Sequence, residues 1–277
     1  MSSREVLLYL FSFILGSVVG SFLNVCIYRL PREESIVFPP SRCTSCGSGI
    51  RFYHNIPILG YLILKGRCAD CGQAISPQYP IVEFISGIAL LGTFFKFGFS
   101  LDTLFYTILI YSLLVITLID LKHMIIPNVI TIPGAVIGLL YNALMTDWGR
   151  SRDLLGAFGF SLENFFGVLN EVPFLDSVFG LIIGGGLLFL IAFLYVIIRK
   201  TEGMGMGDVK LLAMIGAFLG WKGVVFVMLV SSLLGTVTGL SIILYKKGDL
   251  KYALPFGPFL SLAAVIYIFT GGFRLIN

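Results

Sequence analysis

The sequence predicts an all-α polytopic membrane protein of about eight transmembrane helices with a small cytoplasmic zinc-binding loop domain built on four cysteines. Three observations predict it. Charged residues are only 12% of the 277, hydrophobic residues are 57%, and mean hydropathy is +0.96. A soluble domain carries about 25% charged residues, and with half that share it could not cover a water-facing surface. Apolar runs of the roughly 20 residues needed to cross a bilayer recur along the chain. One polar insertion, residues 31–80, holds four of the five cysteines. These facts exclude a soluble globular enzyme, a disordered chain and a fibrous protein. A net charge of +4 is too small to argue for nucleic acid as a partner, whereas membrane lipid is required.

The apolar runs fall near 6–28, 81–98, 103–120, 129–145, 178–198, 208–220, 223–245 and 254–271. The sixth is short and nearly continuous with the seventh, so seven or nine spans remain open. The first is too long for a signal peptide, and Asn24-Val25-Cys26-Ile27-Tyr28-Arg29 offers no small-residue cleavage site. Basic residues set a direction. With the N-terminus outside, 13 Lys and Arg fall inside and 6 outside, which places loops 29–80, 121–128, 199–207 and 246–253 in the cytoplasm. The 146–177 loop, with two basic and five acidic residues, is expected outside. The predicted division is a first transmembrane helix over 1–30, a cytoplasmic zinc-binding domain over 31–80 and a multi-helix membrane domain over 81–277.

The insertion contains Cys43-Thr44-Ser45-Cys46-Gly47 and Cys68-Ala69-Asp70-Cys71-Gly72, two Cys-x-x-Cys knuckles separated by 21 residues. Four thiolates at this spacing suit one tetrahedral zinc ion, and a fully sulfur-ligated ion has no open position for catalysis. A loop of this length has little apolar core, so a metal is a reasonable staple. The alternative, a pair of disulfides, conflicts with a reducing cytoplasm. Cys26 lies in an apolar run and is expected to pack there.

Ionisable groups in spanning segments are costly and therefore candidates for function. Asp120 ends the third run, and Asp208 follows Gly203-Met204-Gly205-Met206-Gly207 at the start of the sixth. Both fall at predicted cytoplasmic helix ends and so can share one depth. Two neighbouring carboxyls can divide the roles of base and acid, one taking a proton from water while the other protonates a carbonyl. Glycines before Asp208 would let an extended peptide approach the backbone. The plainer alternatives are an interfacial Asp120 paired with Lys122 and an Asp208 serving as a first-turn cap.

Gly205-Met206-Gly207-Asp208 resembles the Gly-x-Gly-Asp signature of intramembrane aspartic proteases. Gly20-Ser21-Phe22-Leu23-Asn24-Val25, Tyr28-Arg29-Leu30-Pro31, the cysteine loop with Asn55-Ile56-Pro57, Asp120 with Ile126-Pro127-Asn128, Gly207-Asp208-Val209-Lys210 and Pro255-Phe256-Gly257-Pro258 together resemble the type IV prepilin peptidases. The resemblance covers about residues 20–260; the 146–177 loop has no clear counterpart. It implies a GxGD-type membrane aspartic protease of the bacterial inner membrane. Such an enzyme cleaves the leader of type IV prepilins and pseudopilins after a glycine, then N-methylates the new terminus with S-adenosylmethionine. It implies Asp120 and Asp208 as the catalytic pair and Cys43, Cys46, Cys68 and Cys71 as zinc ligands. It would also make 31–80 a methyltransferase-associated domain and 81–277 a peptidase domain.

Further candidates carry plainer alternatives. Glu83 is placed to hold a substrate amine or to cap its helix, and Asn24 and Arg29 to bind cofactor or substrate, although Arg29 also suits snorkelling to the interface. Lys210 could tune Asp208 or snorkel. Gly180 and Gly184-Gly185-Gly186 read as helix-packing surfaces rather than a nucleotide loop. A proton-coupled transporter with a zinc-stabilised loop is the main alternative function, and a zinc-dependent scaffold a third.

Overall fold

Long apolar segments with no water to satisfy their backbone must form helices, and helices account for nearly all regular structure here. The computed structural model describes residues 3–149, 151, 162–199, 205–246 and 254–271. The helices are α1 (Ser3–Arg29), the single-turn α2 (Leu59–Ile63), α3 (Gln78–Phe97), α4 (Leu101–His123), α5 (Asn128–Met145), α6 (Leu162–Glu171), α7 (Pro173–Arg199), α8 (Met206–Lys246) and α9 (Gly257–Thr270). Among the described residues there is no strand, only the isolated bridges Arg42–Gly49 and Arg67–Ala74. Six of these helices are long and apolar enough to cross a membrane, and α9 is a shorter apolar helix.

The chain divides into two compact units, residues 1–115 and 116–277. In the first, α1 packs along α3 through small residues. A Cβ on Gly16 would lie 2.6 Å from the Ser86 carbonyl oxygen, and one on Gly20 would lie 2.8 Å from the Glu83 Cα. This close backbone approach is how helices associate where no hydrophobic drive between them exists. The Tyr111 hydroxyl donates to the Ser86 carbonyl at 3.1 Å, and Thr93 and Thr107 share a hydrogen bond of 2.7 Å.

In the second unit α8 is the hub, packed on α5, α7 and α9. Its 41 residues would stretch about 60 Å as one rod, twice a bilayer core. It breaks at Gly220, with φ 68° and ψ −176°, a backbone closed to side chains. Both sides of the break are satisfied. The Asp176 carboxylate accepts from the freed Trp221 amide at 3.0 Å. Asn142 Nδ2 donates to the Ala217 and Phe218 carbonyls at 3.0 and 3.2 Å. The expected sixth and seventh runs are therefore two helical segments joined at this glycine.

Two boundaries differ from expectation. The segment 146–177 is not all loop: it contains α6, and α7 begins at Pro173, where proline suits a first helical position. Residues 150 and 152–161 of that segment lie outside the described residues, as do most of the expected loops 199–207 and 246–253. Gly180 and Gly184 do lie at a packing surface, since a Cβ on either would meet the Gly216 or Leu212 carbonyl oxygen at 2.5 and 2.6 Å. Gly216→Val should therefore wedge α7 from α8. We expect it to lower stability by about 1–3 kcal/mol, read as a reduced thermal midpoint of the purified protein in detergent, while Gly186→Val, which meets nothing within 4 Å, should leave the midpoint unchanged.

Candidate functional site

In the first unit the two cysteine knuckles are built alike. The Cys43 amide donates to the Ser48 carbonyl at 2.9 Å and the Gly47 amide to the Cys43 carbonyl at 3.0 Å. The second knuckle repeats this with Cys68 to Gln73 at 2.8 Å and Gly72 to Cys68 at 3.0 Å. Gly47 and Gly72 hold positive φ, 73° and 70°, which glycine alone takes without strain. The four sulfurs all lie within 4.8 Å of one another, and Cys43 Sγ is 3.9 Å from Cys71 Sγ. A tetrahedral zinc ion with bonds of ~2.3 Å separates its sulfurs by about 3.8 Å, so the donor set fits that ion. The Ser48 hydroxyl and amide pull the Cys46 thiol down to about 6, and the backbone amides of Cys71 and Asp70 lower Cys68. Cys71 moves the other way: the bond from the Gln73 backbone lowers it, but desolvation and hydrogen bonds with Cys46, Cys68 and Cys43 outweigh that and push it up to about 12. A metal's own charge is what would make it the thiolate a ligand must be.

Asn24, Arg29 and Glu83 lie at the same end of the first unit but are used differently. Asn24, 2% exposed, donates to the Tyr79 carbonyl at 3.1 Å, and its Oδ1 has no hydrogen-bond partner among the described residues. The Glu83 carboxylate accepts from the Ile58 amide at 2.7 Å. It sits in the second turn of α3 and bonds another segment, so it does not cap its own helix. The Arg29 guanidinium donates to the Ser35 and Pro39 carbonyls at 2.8 and 2.6 Å, fastening the start of the cysteine loop to α1. Cys26 is buried in α1 and free.

In the second unit the structure brings Asp120 and Asp208 together. Asp120, in the last turn of α4, is 4% exposed, and its Oδ2 accepts the Gly257 amide at 3.1 Å. Asp208, in the first turn of α8, is half-buried and lies close enough for the charge on Asp120 to act on it. Its carboxylate accepts no hydrogen bond among the described residues. Two glycines make the approach possible. A Cβ on Gly257 would sit 2.7 Å from Asp120 Oδ2, and one on Gly207 would sit 2.8 Å from Ile126 Cβ. Ile126 also faces Gly257, so its side chain fills the corner between the two glycines. Lys210 donates to Asn128 Oδ1 at 2.9 Å, tying the start of α8 to the start of α5.

The amino-acid pattern points to both aspartates but not to what holds them. Pro255-Phe256-Gly257-Pro258 stands out as a motif, yet nothing in it shows that the Gly257 amide bonds Asp120. The Asn128–Lys210 bond, which spans 82 residues of chain, leaves no local signal at all.

Residues 14–97 match the bacterial peptidase A24 N-terminal domain, and residues 107–240 match the type IV leader peptidase family. A protein of Pseudomonas putida named prepilin leader peptidase/N-methyltransferase is 35% identical over 93% of this chain and 89% of its own. The chain belongs to the type IV leader peptidase family. Family relatives of the same name in Pseudomonas aeruginosa and Aeromonas salmonicida are 31% and 32% identical, over 98% and 94% of this chain and 93% and 89% of theirs. No solved structure matches the chain. Membership of a leader peptidase family displaces the transporter alternative. It also gives the Gly-x-Gly-Asp segment and the cysteine loop a setting in one kind of protein. We expect about one zinc per chain by elemental analysis of the purified protein, falling to a small fraction with Cys43→Ser/Cys46→Ser.

Proposed function

We propose that the chain is a membrane aspartic endopeptidase and N-methyltransferase. It cleaves the leader of type IV prepilins and related pseudopilins after a glycine and methylates the new N-terminal amine. The observation that carries the peptidase half is the Asp120–Asp208 arrangement: one carboxyl fixed by a backbone amide, the other half-buried and unpartnered among the described residues, both reached past glycine backbone. One carboxylate removes a proton from the attacking water, while the protonated partner donates to the scissile carbonyl oxygen. The Gly257 amide holds the Asp120 carboxyl in one orientation and leaves its second oxygen for the reacting atoms. Gly205, where a Cβ would meet nothing nearer than Asp208 Oδ2 at 3.8 Å, leaves room for an extended peptide beside the start of α8, while the space a Cβ on Gly207 would take is filled by Ile126.

The methyl group comes from S-adenosylmethionine when that cofactor is bound. Asn24 and Glu83 are the residues proposed to face the methylation site, because Asn24 keeps an unused buried acceptor and Glu83 carries a buried carboxylate. Arg29 acts through the loop it pins. Cys43, Cys46, Cys68 and Cys71 hold one zinc ion that shapes the 31–80 segment and takes no part in bond making. The protein resides in the bacterial inner membrane, with its N-terminus outside and the cysteine loop and both aspartates on the cytoplasmic side, as the distribution of Lys and Arg favours.

Asp120→Asn and Asp208→Asn should each reduce leader cleavage by at least ~100-fold, because an amide serves neither as base nor as acid. Protein abundance in the membrane should be unchanged. Gel-shift assay of a prepilin mixed with each purified variant reads this directly, and near-normal cleavage by either variant would remove that residue from the mechanism. The two activities should also separate. Cys43→Ser/Cys46→Ser should lose methylation of pre-cleaved pilin more than it loses cleavage, as seen by the mass of the mature N-terminus.

A further inference from the structure

We infer that residues 52–63, between the two cysteine knuckles, form an interfacial anchor that lies in the lipid beside α3 rather than in water. This stands apart from the peptidase reading and needs only that α1 and α3 cross the bilayer.

Apart from His54 and Asn55 the segment is apolar, and most of its large side chains are uncovered. Phe52 is 86% exposed, Leu62 62% and Ile63 65%, and Ile56 and Leu59 are exposed as well. Such a patch on a water-facing loop would be a liability. Its depth is set by the hydrogen bond from the Ile58 amide to the Glu83 carboxylate. Glu83 lies five residues into α3, which is ~8 Å along the axis of a 20-residue helix that is itself ~30 Å long. A hydrocarbon core is about as thick as that helix is long. The residue preceding α2 is therefore held level with the second turn of a spanning helix, inside the apolar zone.

The neighbouring surface matches. Ile81, Phe84, Ile85 and Ile88 form an exposed stripe on α3 at helical spacing, the face a spanning helix turns to lipid. Leu59, Leu62 and Ile63, one to five residues beyond Ile58, add exposed apolar surface to the same unit. The polar boundary follows at once, since Lys65 and Arg67 are exposed directly after the segment. Their charges suit anionic headgroups.

The backbone bears the cost of this path. Ile58 has φ 62° and ψ −52°, a region that β-branched residues avoid. It holds there because its amide is bonded to Glu83. Gly60 closes the turn against the His54 carbonyl, a contact that leaves no room for a Cβ. A strained turn that leads into an exposed apolar tip is built to place that tip.

The test uses full-length protein in vesicles of phosphatidylethanolamine and phosphatidylglycerol, with and without acyl-brominated phosphatidylcholine. Leu59→Trp and Leu62→Trp are made separately, and the parent protein's emission from Trp148 and Trp221 is subtracted. Ile81→Trp marks the lipid face of α3, and Glu34→Trp marks water. The expected result is loss of most of the new emission at 59 and 62 to the brominated lipid, as at 81, with little quenching by aqueous iodide. Quenching of both by iodide and not by brominated lipid would overturn the proposal. Protection from both quenchers would overturn it too, because protein and not lipid would then cover the segment. Quenching by lipid that is relieved when a prepilin peptide is added would overturn it in favour of a substrate-docking surface.

Discussion

The hydrogen bond from the Gly257 amide to Asp120 Oδ2 is the contact around which the candidate centre is arranged. A carboxyl taken out of water costs several kcal/mol unless it is bonded. Here a single backbone amide supplies the partner, and only because residue 257 lacks a Cβ that would strike the same oxygen. The start of α9 is thereby fixed to the end of α4. Ile126 then fills the space between Gly257 and Gly207, and Gly207 is the residue before Asp208. Two carboxyls far apart in the chain are thus placed by a few small contacts, each of which tolerates no larger residue.

Asp120, Asn142, Asp176 and Asp208 of the 116–277 unit divide into two kinds. Asp176 and Asn142 are consumed by structure. They take up the amide and carbonyls released where α8 breaks at Gly220, and a bilayer offers no water to do so in their place. Asp120 takes up one amide, that of Gly257 at the start of α9, through Oδ2 alone, and Asp208 takes up none among the described residues. Neither closes a helix break, and Asp208 keeps its carboxylate uncommitted among the described residues. That difference in what the side chain is used for separates a reactive candidate from a structural one, where burial by itself would not.

The 1–115 unit shows the same economy. Its small residues bring the α1 and α3 backbones together, and its buried polar groups lie at the loop end. Asn24 reaches the first turn of α3, Arg29 holds the chain that leaves α1, and Glu83 holds the chain that enters α2. The cysteine loop is therefore tied at three points before any metal is considered. A zinc ion would then fix the two knuckles to each other.

The sequence by itself determined the membrane class, the positions of the apolar runs and the four-sulfur cluster, and it singled out the two candidate aspartates. These are properties of composition and spacing, and they survive any arrangement of the helices. Even the break in α8 shows as a short sixth run beside a seventh. Only the tertiary structure decided what each polar group touches. By position Glu83 suits a cap for α3, but its partner is Ile58, and Lys210 stands near Asp208 in the chain while its ammonium is on Asn128. Asp176 falls in an expected loop, and nothing in the pattern singles out Asn142. Hydrogen bonds between residues 25 to 82 apart in the chain leave no periodic or local trace, because they are fixed by which helix backbones can approach closely, and that approach is settled at the glycines only when the helices pack.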